Sequence, residues 1–186
     1  MAFRIKYESV YQFQPDIMVI QECEDKILLH EIKEKLNYSD ICWFGKNKNK
    51  GIAIITFGKY RIMKLDHDQE YEYILPVKIC DESISFNLLA IWTQMKNKNI
   101  YDSYVVQATR AFLKYHELLK DKNIVIIGDF NSNAIWDNES PKEYTHSEMI
   151  ELLKEKQINS VYHVFYNENY GKETTPTLYF KRNISK

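Results

Sequence analysis

Hydrophobic and polar positions alternate along the first third of the chain in patterns that predict both helices and strands. Apolar residues in positions 1–14 form a loose helical stripe, which Pro15 stops because the residue before a proline avoids the helical region. The apolar run Asp16–Glu22 predicts a short buried strand, and the spacing of apolar residues in Ile27–Leu36 predicts a helix.

The middle of the chain contains a series of strand-like runs. They are separated by short connectors, which predicts hairpins and an antiparallel sheet. The runs are Ile41–Phe44, Gly51–Phe57, Glu72–Ile79 and Ser85–Trp92, with Tyr60–Leu65 as a weaker fifth. The polar stretch Lys46–Lys50, with the sequence KNKNK, predicts a loop, with a phosphate-facing loop beside an active site as the functional alternative.

The clearest helix follows these strands. Its apolar residues are spaced 3, 4, 3 and 4 apart, as on one face of an amphipathic helix; they are Val105, Ala108, Phe112, Tyr115 and Leu119. The later segments, in chain order, are a strand at Ile124–Ile127, a polar loop at Asn131–Tyr144, a helix containing Met149 and Leu153, an aromatic and apolar stretch at Ser160–Phe165, and a strand at Thr177–Phe180. This mixture of elements predicts an α/β sandwich with its sheets packed together and its helices outside.

Composition narrows the class of protein. With 186 residues, of which 45% are hydrophobic and 14% aromatic, the chain is expected to form a single globular domain over residues 1–186. A net charge of −1 provides no global basic field for nucleic acid, although a locally basic groove remains compatible with it.

The three cysteines lack CxxC spacing and leave one cysteine unpaired, which argues against a disulfide framework or a structural zinc site. This cysteine usage predicts a reducing compartment. We find no signal peptide and no apolar run of membrane-spanning length, so the sequence predicts a cytoplasmic protein that does not contact a membrane.

Two apolar runs each end in a carboxylate. PDIMVIQE ends at Glu22, and IVIIGDFN places Asp129 and Asn131 after four branched apolar residues. A continuous apolar run is typical of a strand buried on both faces, and an acid at its end must be paired, solvated or bound to a metal. If the two strand ends lie side by side, they form an oxygen-rich site suited to Mg²⁺ or Mn²⁺. The alternative is that both acids are helix caps or turn residues.

In order and spacing, PDIMVIQE, the Gly-Ile-Ala strand at Gly51 and IVIIGDFNSN resemble the endonuclease/exonuclease/phosphatase superfamily. The resemblance extends from residue 1 to about residue 181. It implies a DNase I-like sandwich of two mixed, mostly antiparallel sheets flanked by helices. It also implies a divalent-metal-dependent phosphodiester hydrolase, a group that includes nucleases, phosphodiesterases and phosphatases.

The resemblance assigns roles to individual residues. Glu22 matches the metal-binding glutamate, Asp129 the aspartate that orients or activates the attacking water, and Asn131 the amide that binds the phosphate. Trp92 stands where many members have a histidine or a tyrosine. Since tryptophan cannot act as an acid or base, Trp92 is expected either to stack on a base or sugar or to pack in the core.

Three further residues are candidates for contact with a substrate. Thr177 matches a threonine that lies near the site in some members of the superfamily. His146 follows the loop that contains Trp136 and Asp137, and of the five histidines it is the one expected near the site. Trp136 could offer a stacking surface, although aromatic residues at this density are more often core residues.

The chain departs from the superfamily pattern at both ends. It lacks the W-N-x-N motif of the first strand, the aspartate-bearing strand near the end, and the final Ser-Asp-His. We therefore expect a domain that is incomplete at both ends and has weak or no turnover. It is either a fragment of an enzyme or a natural remnant, and the aggregation hazard of unpaired sheet edges favours the fragment.

Two functions consequently remain open. One is hydrolysis of a phosphate ester, with nucleic acid as one candidate substrate among nucleotides, inositol phosphates and lipid head groups. The other is a catalytically inactive binding or interaction module on the same fold. The sequence predicts neither the substrate nor the oligomeric state.

Overall fold

A computed structural model describes residues 3–95 and 99–175 of the chain. The chain divides into two compact units, residues 1–131 and residues 132–186. The strand expected at Thr177–Phe180 lies outside the described residues. In the part that the structure describes, no helix has the length and apolar character needed to cross a membrane.

The first unit is built on two sheets. One sheet has three antiparallel strands in the order β1-β3-β2; they are β1 (Ile17–Cys23), β2 (Asp40–Asn47) and β3 (Lys50–Thr56). The other sheet has four strands in the order β4-β5-β6-β7; they are β4 (Arg61–Lys64), β5 (Ile74–Cys80), β6 (Ser85–Trp92) and β7 (Ile124–Asp129). Only the pairing of β6 with β7 is parallel among the described strands. The strand-like runs of the sequence are thus confirmed, although β5 begins at Ile74 instead of Glu72. The loop expected at Lys46–Lys50 is wrong in its extent, because β2 continues to Asn47 and β3 begins at Lys50, which leaves a two-residue turn at 48–49.

Alternating residues of β3 contribute to two hydrophobic cores. Ile52 and Ile54 belong to the cluster between the two sheets, which also contains Val77 and Leu88. The intervening residues, Ala53 and Ile55, belong to the cluster that contains the buried residues of the nearby helices. Because successive side chains of a strand point to opposite faces, β3 is covered on both sides. The prediction of packed sheets with helices outside is confirmed.

The helices of the first unit are shorter than the sequence predicts. They are α1 (Phe3–Lys6), α2 (Glu8–Tyr11), α3 (Lys26–Leu29), α4 (Lys33–Leu36) and α5 (Tyr104–Lys114). The helical segment expected at Ile27–Leu36 is present, but a 3₁₀ turn at His30–Ile32 divides it into α3 and α4. The helix expected to continue to Leu119 ends at Lys114, where both Lys114 and Tyr115 bond to Asp68.

Strand β7 is not buried on both faces, which corrects the expectation from its apolar run. Among the described strands, it is the last in the order of the four-stranded sheet. Val125 and Ile127 are 43% and 45% exposed. Isoleucine and valine favour a strand whether or not both faces are covered, so the run predicted the strand correctly and its burial wrongly.

The second unit is helical in its described part. It contains α6 (His146–Glu155), α7 (Val161–Tyr166) and 3₁₀ turns at Ala134–Glu139 and Lys142–Tyr144. Helix α6 begins with a capping box, in which the Thr145 and Glu148 side chains each accept a hydrogen bond from the other's backbone N–H. The aromatic and apolar stretch at Ser160–Phe165 forms helix α7.

Candidate functional site

Glu22 lies in a β-bulge at the end of β1. Gln21 pairs with Ile52 and Cys23 pairs with Gly51, so Glu22 is the extra residue between them. Its φ of +56° lies in the left-handed region, which costs about 1–3 kcal/mol for a residue with a side chain. Bulges often redirect a side chain next to an active site, and this one places a carboxylate at the strand end.

The Glu22 carboxylate is 42% exposed and forms an ion pair with Lys50, whose Nζ is 3.1 Å from Oε1. Partial burial by itself raises the pKa of Glu22. Hydrogen bonds from positively charged groups, including Lys50, and attraction to their charge outweigh this effect. The pKa of Glu22 therefore lies below its ordinary value. Glu22 is therefore ionised at neutral pH, as a carboxylate that binds a cation must be.

Gly128 sets the path of the chain into Asp129. In the parallel pairing of β6 with β7, Ile91 is opposite Gly128 and Trp92 is opposite Asp129. The φ of Gly128 is +146°, and a Cβ atom at this position would lie 1.9 Å from the carbonyl oxygen of Ile91. Only glycine allows β7 to approach β6 this closely.

Asp129 and Asn131 are joined by a local hydrogen-bond network. Asp129 Oδ1 accepts a hydrogen bond from the Asn131 backbone N–H at 3.0 Å, and Oδ2 accepts one from Asn131 Nδ2 at 2.9 Å. The same Nδ2 donates to the carbonyl oxygen of Thr93 at 3.2 Å. Both N–H bonds of the Asn131 amide thus have acceptors, and the carboxylate is held in a defined orientation.

Thr93 completes this network and was not predicted from the sequence. Its buried hydroxyl donates to the carbonyl oxygen of Phe130 at 2.6 Å, and its backbone N–H donates to the carbonyl oxygen of Asp129 at 3.1 Å. Together with the bond from Asn131, Thr93 contacts three consecutive residues, from the last residue of β7 to Asn131. The parallel pairing of β6 with β7 brings Thr93 here, and no local pattern encodes that pairing.

Lys50 connects the two strand ends. Its Nζ lies 5.1 Å from the ring centroid of Trp92 in addition to contacting Glu22. Trp92 is buried, packs 4.8 Å from the ring of Tyr73, and pairs with Asp129 across the sheet. Of the predicted site residues, the structure therefore brings Glu22, Trp92, Asp129 and Asn131 to one end of the first unit. Lys50 was missed as an individual residue, although it ends the KNKNK run.

The carboxylate of Glu22 suits a metal site that is completed by water and by the substrate. Within residues 3–95 and 99–175, no group of three His, Cys, Asp or Glu side chains converges as it would in a cage made by protein alone. Mg²⁺ usually keeps several waters and is bound through one or two carboxylates together with substrate phosphates. Glu22 matches that chemistry, because it is ionised and already attracts the ammonium cation of Lys50.

The other predicted contact residues belong to the second unit. His146 Nδ1 is 3.0 Å from Ser132 Oγ, and burial lowers the pKa of His146 despite the opposing effect of Asp137. Trp136 is exposed on the 3₁₀ turn that follows Asn133. Thr177 lies outside the described residues. Substrate contact by these three predicted residues stays a prediction.

Comparison with known proteins identifies the fold. No family model and no curated protein matches the chain. Crystal structures that match include TDP2 from Caenorhabditis elegans, with 18% identity and a TM-score of 0.56, covering 75% of this chain and 45% of that one. An AP endonuclease from Archaeoglobus fulgidus matches with 17% identity and a TM-score of 0.53, covering 82% and 63%.

The human Nocturnin catalytic domain with a bound sulfate anion also matches, with 17% identity and a TM-score of 0.53, covering 87% of this chain and 64% of that one. This chain spans less than two thirds of the length of each of the three structures. Their likeness confirms the predicted fold class, a DNase I-like sandwich of two sheets flanked by helices.

Proposed function

We propose that the chain carries the site of a divalent-metal-dependent hydrolase of phosphate esters, of the nuclease, phosphodiesterase or phosphatase type. The observation that carries this proposal is the link between two strand ends through Lys50, which contacts Glu22 and lies over the ring of Trp92, the residue paired with Asp129. One strand end carries the Glu22 carboxylate on a backbone of positive φ, and the other carries the hydrogen-bonded pair Asp129 and Asn131. The DNase I-like fold supports it, since one structural neighbour is an AP endonuclease.

Each residue has a chemical task in this proposal. Glu22 would hold Mg²⁺ or Mn²⁺. When bound, the cation would polarise the phosphoryl oxygen and offset its growing negative charge. Asp129, oriented by Asn131, would accept a hydrogen bond from the attacking water and align it with phosphorus. Asn131 would donate to a phosphoryl oxygen, which requires one of its amide N–H groups to leave Asp129 or Thr93.

The substrate is proposed only as a class. A net charge of −1 argues against a dedicated duplex binder, because phosphate contacts dominate such affinity. A short nucleic acid or a small phosphodiester fits the site chemistry better. We keep Trp136, His146 and Thr177 as proposed contacts. All three cysteines are free thiols, in keeping with the proposed cytoplasmic location.

The proposal is tested by Mg²⁺-dependent hydrolysis of bis(p-nitrophenyl) phosphate and of single-stranded and duplex oligonucleotides. We expect Glu22→Ala and Asp129→Ala each to lower the rate by about 10²-fold or more. Glu34→Ala, which removes an exposed carboxylate of α4, is the matched control and should leave the rate unchanged. Activity that survives both site substitutions would show that the assignment is wrong.

A second candidate function is an inactive binding module on the same fold. It is favoured by one observation, namely that the site groups already satisfy each other: Glu22 pairs with Lys50, and Asn131 bonds to Asp129 and Thr93. This candidate predicts no affinity for divalent cations at Glu22. In a calorimetric Mn²⁺ titration, saturable binding that Glu22→Gln abolishes would favour the hydrolase instead.

A further inference from the structure

We propose that Lys50 is the phosphate-binding cation of this site. Its ion pair with Glu22 keeps Lys50 from binding phosphate until a divalent cation binds the Glu22 carboxylate and displaces the lysine. This inference rests on the proposed function for the role of the metal. It adds a residue that contacts the substrate and a competition between two cations for one carboxylate.

The backbone of Lys50 is fixed beside Glu22. Lys50 pairs with Asn47 across the β2–β3 hairpin, and the Asp25 backbone N–H donates to the carbonyl oxygen of Lys48 at 2.8 Å, which anchors the hairpin to the chain just after β1. The next residue, Gly51, has no room for a side chain, because a Cβ atom there would lie 2.5 Å from the Phe44 carbonyl oxygen.

The side chain of Lys50, in contrast, can move. It is 49% exposed, and among the described residues its ammonium lies 3.1 Å from the Glu22 carboxylate and 5.1 Å from the centroid of the Trp92 ring. A divalent cation at Glu22 would repel the ammonium, because like charges at such short distances oppose each other. The displaced ammonium could still be stabilised by a cation–π contact with the buried ring of Trp92.

A displaced Lys50 would suit a phosphate. A lysine ammonium is a compact charge with three donors and is a common phosphate ligand. In the same hairpin, Lys46 is engaged with Glu72 at 2.6 Å, whereas Lys50 contacts a residue of the proposed site. This role also explains how a tryptophan at position 92 could serve the site, since its ring cannot transfer a proton but can attract the ammonium of Lys50.

The first experiment measures Mn²⁺ affinity by calorimetry for the wild-type chain and two lysine variants. We expect Lys50→Met to bind Mn²⁺ more tightly by up to about fivefold, the range expected when a partly exposed competing ion pair is removed. Lys48→Met removes the same charge from an exposed position two residues away and is the matched control. It should change the affinity less than Lys50→Met does.

The second experiment measures pyrophosphate binding in the presence of EDTA, and so requires no metal. Glu22→Gln should release Lys50 and strengthen pyrophosphate binding several-fold over the wild type. The double variant Glu22→Gln/Lys50→Met should lose this gain, whereas Glu22→Gln/Lys50→Arg should keep it because the positive charge remains.

The two experiments separate the failure of this inference from the failure of the proposed function. If Lys50→Met and the wild type bind Mn²⁺ equally and the pyrophosphate gain does not need Lys50, the role of Lys50 is overturned while the metal site at Glu22 stands. If no variant binds Mn²⁺ but the gain still needs Lys50, the phosphate-binding role stands and the proposed metal-dependent function falls.

Discussion

The two strand ends of the site hold their carboxylates in opposite ways. Glu22 projects from a bulge with a positive φ and forms an ion pair with an exposed lysine. Asp129 has both oxygens bonded to Asn131, and the loop around it is fastened by Thr93. We infer that the first end is suited to exchanging a partner and the second to maintaining a geometry.

The largest expected effect concerns the strand end that carries Asp129. Gly128→Ala would place a Cβ atom 1.9 Å from the Ile91 carbonyl oxygen at a φ of +146°, so we expect it to lower the free energy of unfolding by about 3 kcal/mol. Urea denaturation measures this. Gly58→Ala is the matched control, because Gly58 also has a positive φ but nothing within 4 Å of the added atom, and it should cost about 1 kcal/mol. Equal losses in both variants would contradict a steric role for Gly128.

A smaller effect is expected from the backbone strain at Glu22, at the other strand end. Both Glu22→Gly and Glu22→Ala remove the ion pair, but only glycine adopts a φ of +56° readily. We expect the glycine variant to be more stable than the alanine variant by about 1 kcal/mol. At the neighbouring Gln21, an ordinary position of β1 opposite Ile52, alanine should be the more stable of the two. The same order at both positions would mean that the bulge stores no strain.

The smallest effect concerns pH. Because the pKa of Glu22 is below its ordinary value of 4.5 in the folded chain, its ion pair contributes stability above that pH and loses it as the pH falls through the lowered pKa. The carboxylate is 42% exposed, so we expect a loss of only about 0.5 kcal/mol for Glu22→Gln at neutral pH. The denaturation midpoints of the wild type and of Glu22→Gln should converge as the pH is lowered. A difference between them that persists in strong acid would contradict a stabilising ion pair.

The sequence predicted the carboxylates better than it predicted their neighbours. An acid that directly follows an apolar run leaves a local signal, and the structure does place Glu22 and Asp129 at the ends of their strands. Lys50 and Thr93 reach the site through pairing between strands distant in sequence, and no local pattern records that pairing. The exposure of Val125 escaped prediction for the same reason, since a strand's apolar run does not reveal which neighbours cover it.

NMR spectroscopy with substoichiometric Mn²⁺ can detect directly whether Glu22 holds a divalent cation at the end of β1. Paramagnetic broadening should appear first at the backbone amides of Cys23, Lys50 and Gly51, which flank Glu22 in the structure. We expect Glu22→Gln to abolish this broadening. Broadening that persists unchanged in Glu22→Gln, or that is centred on another part of the chain, would contradict it.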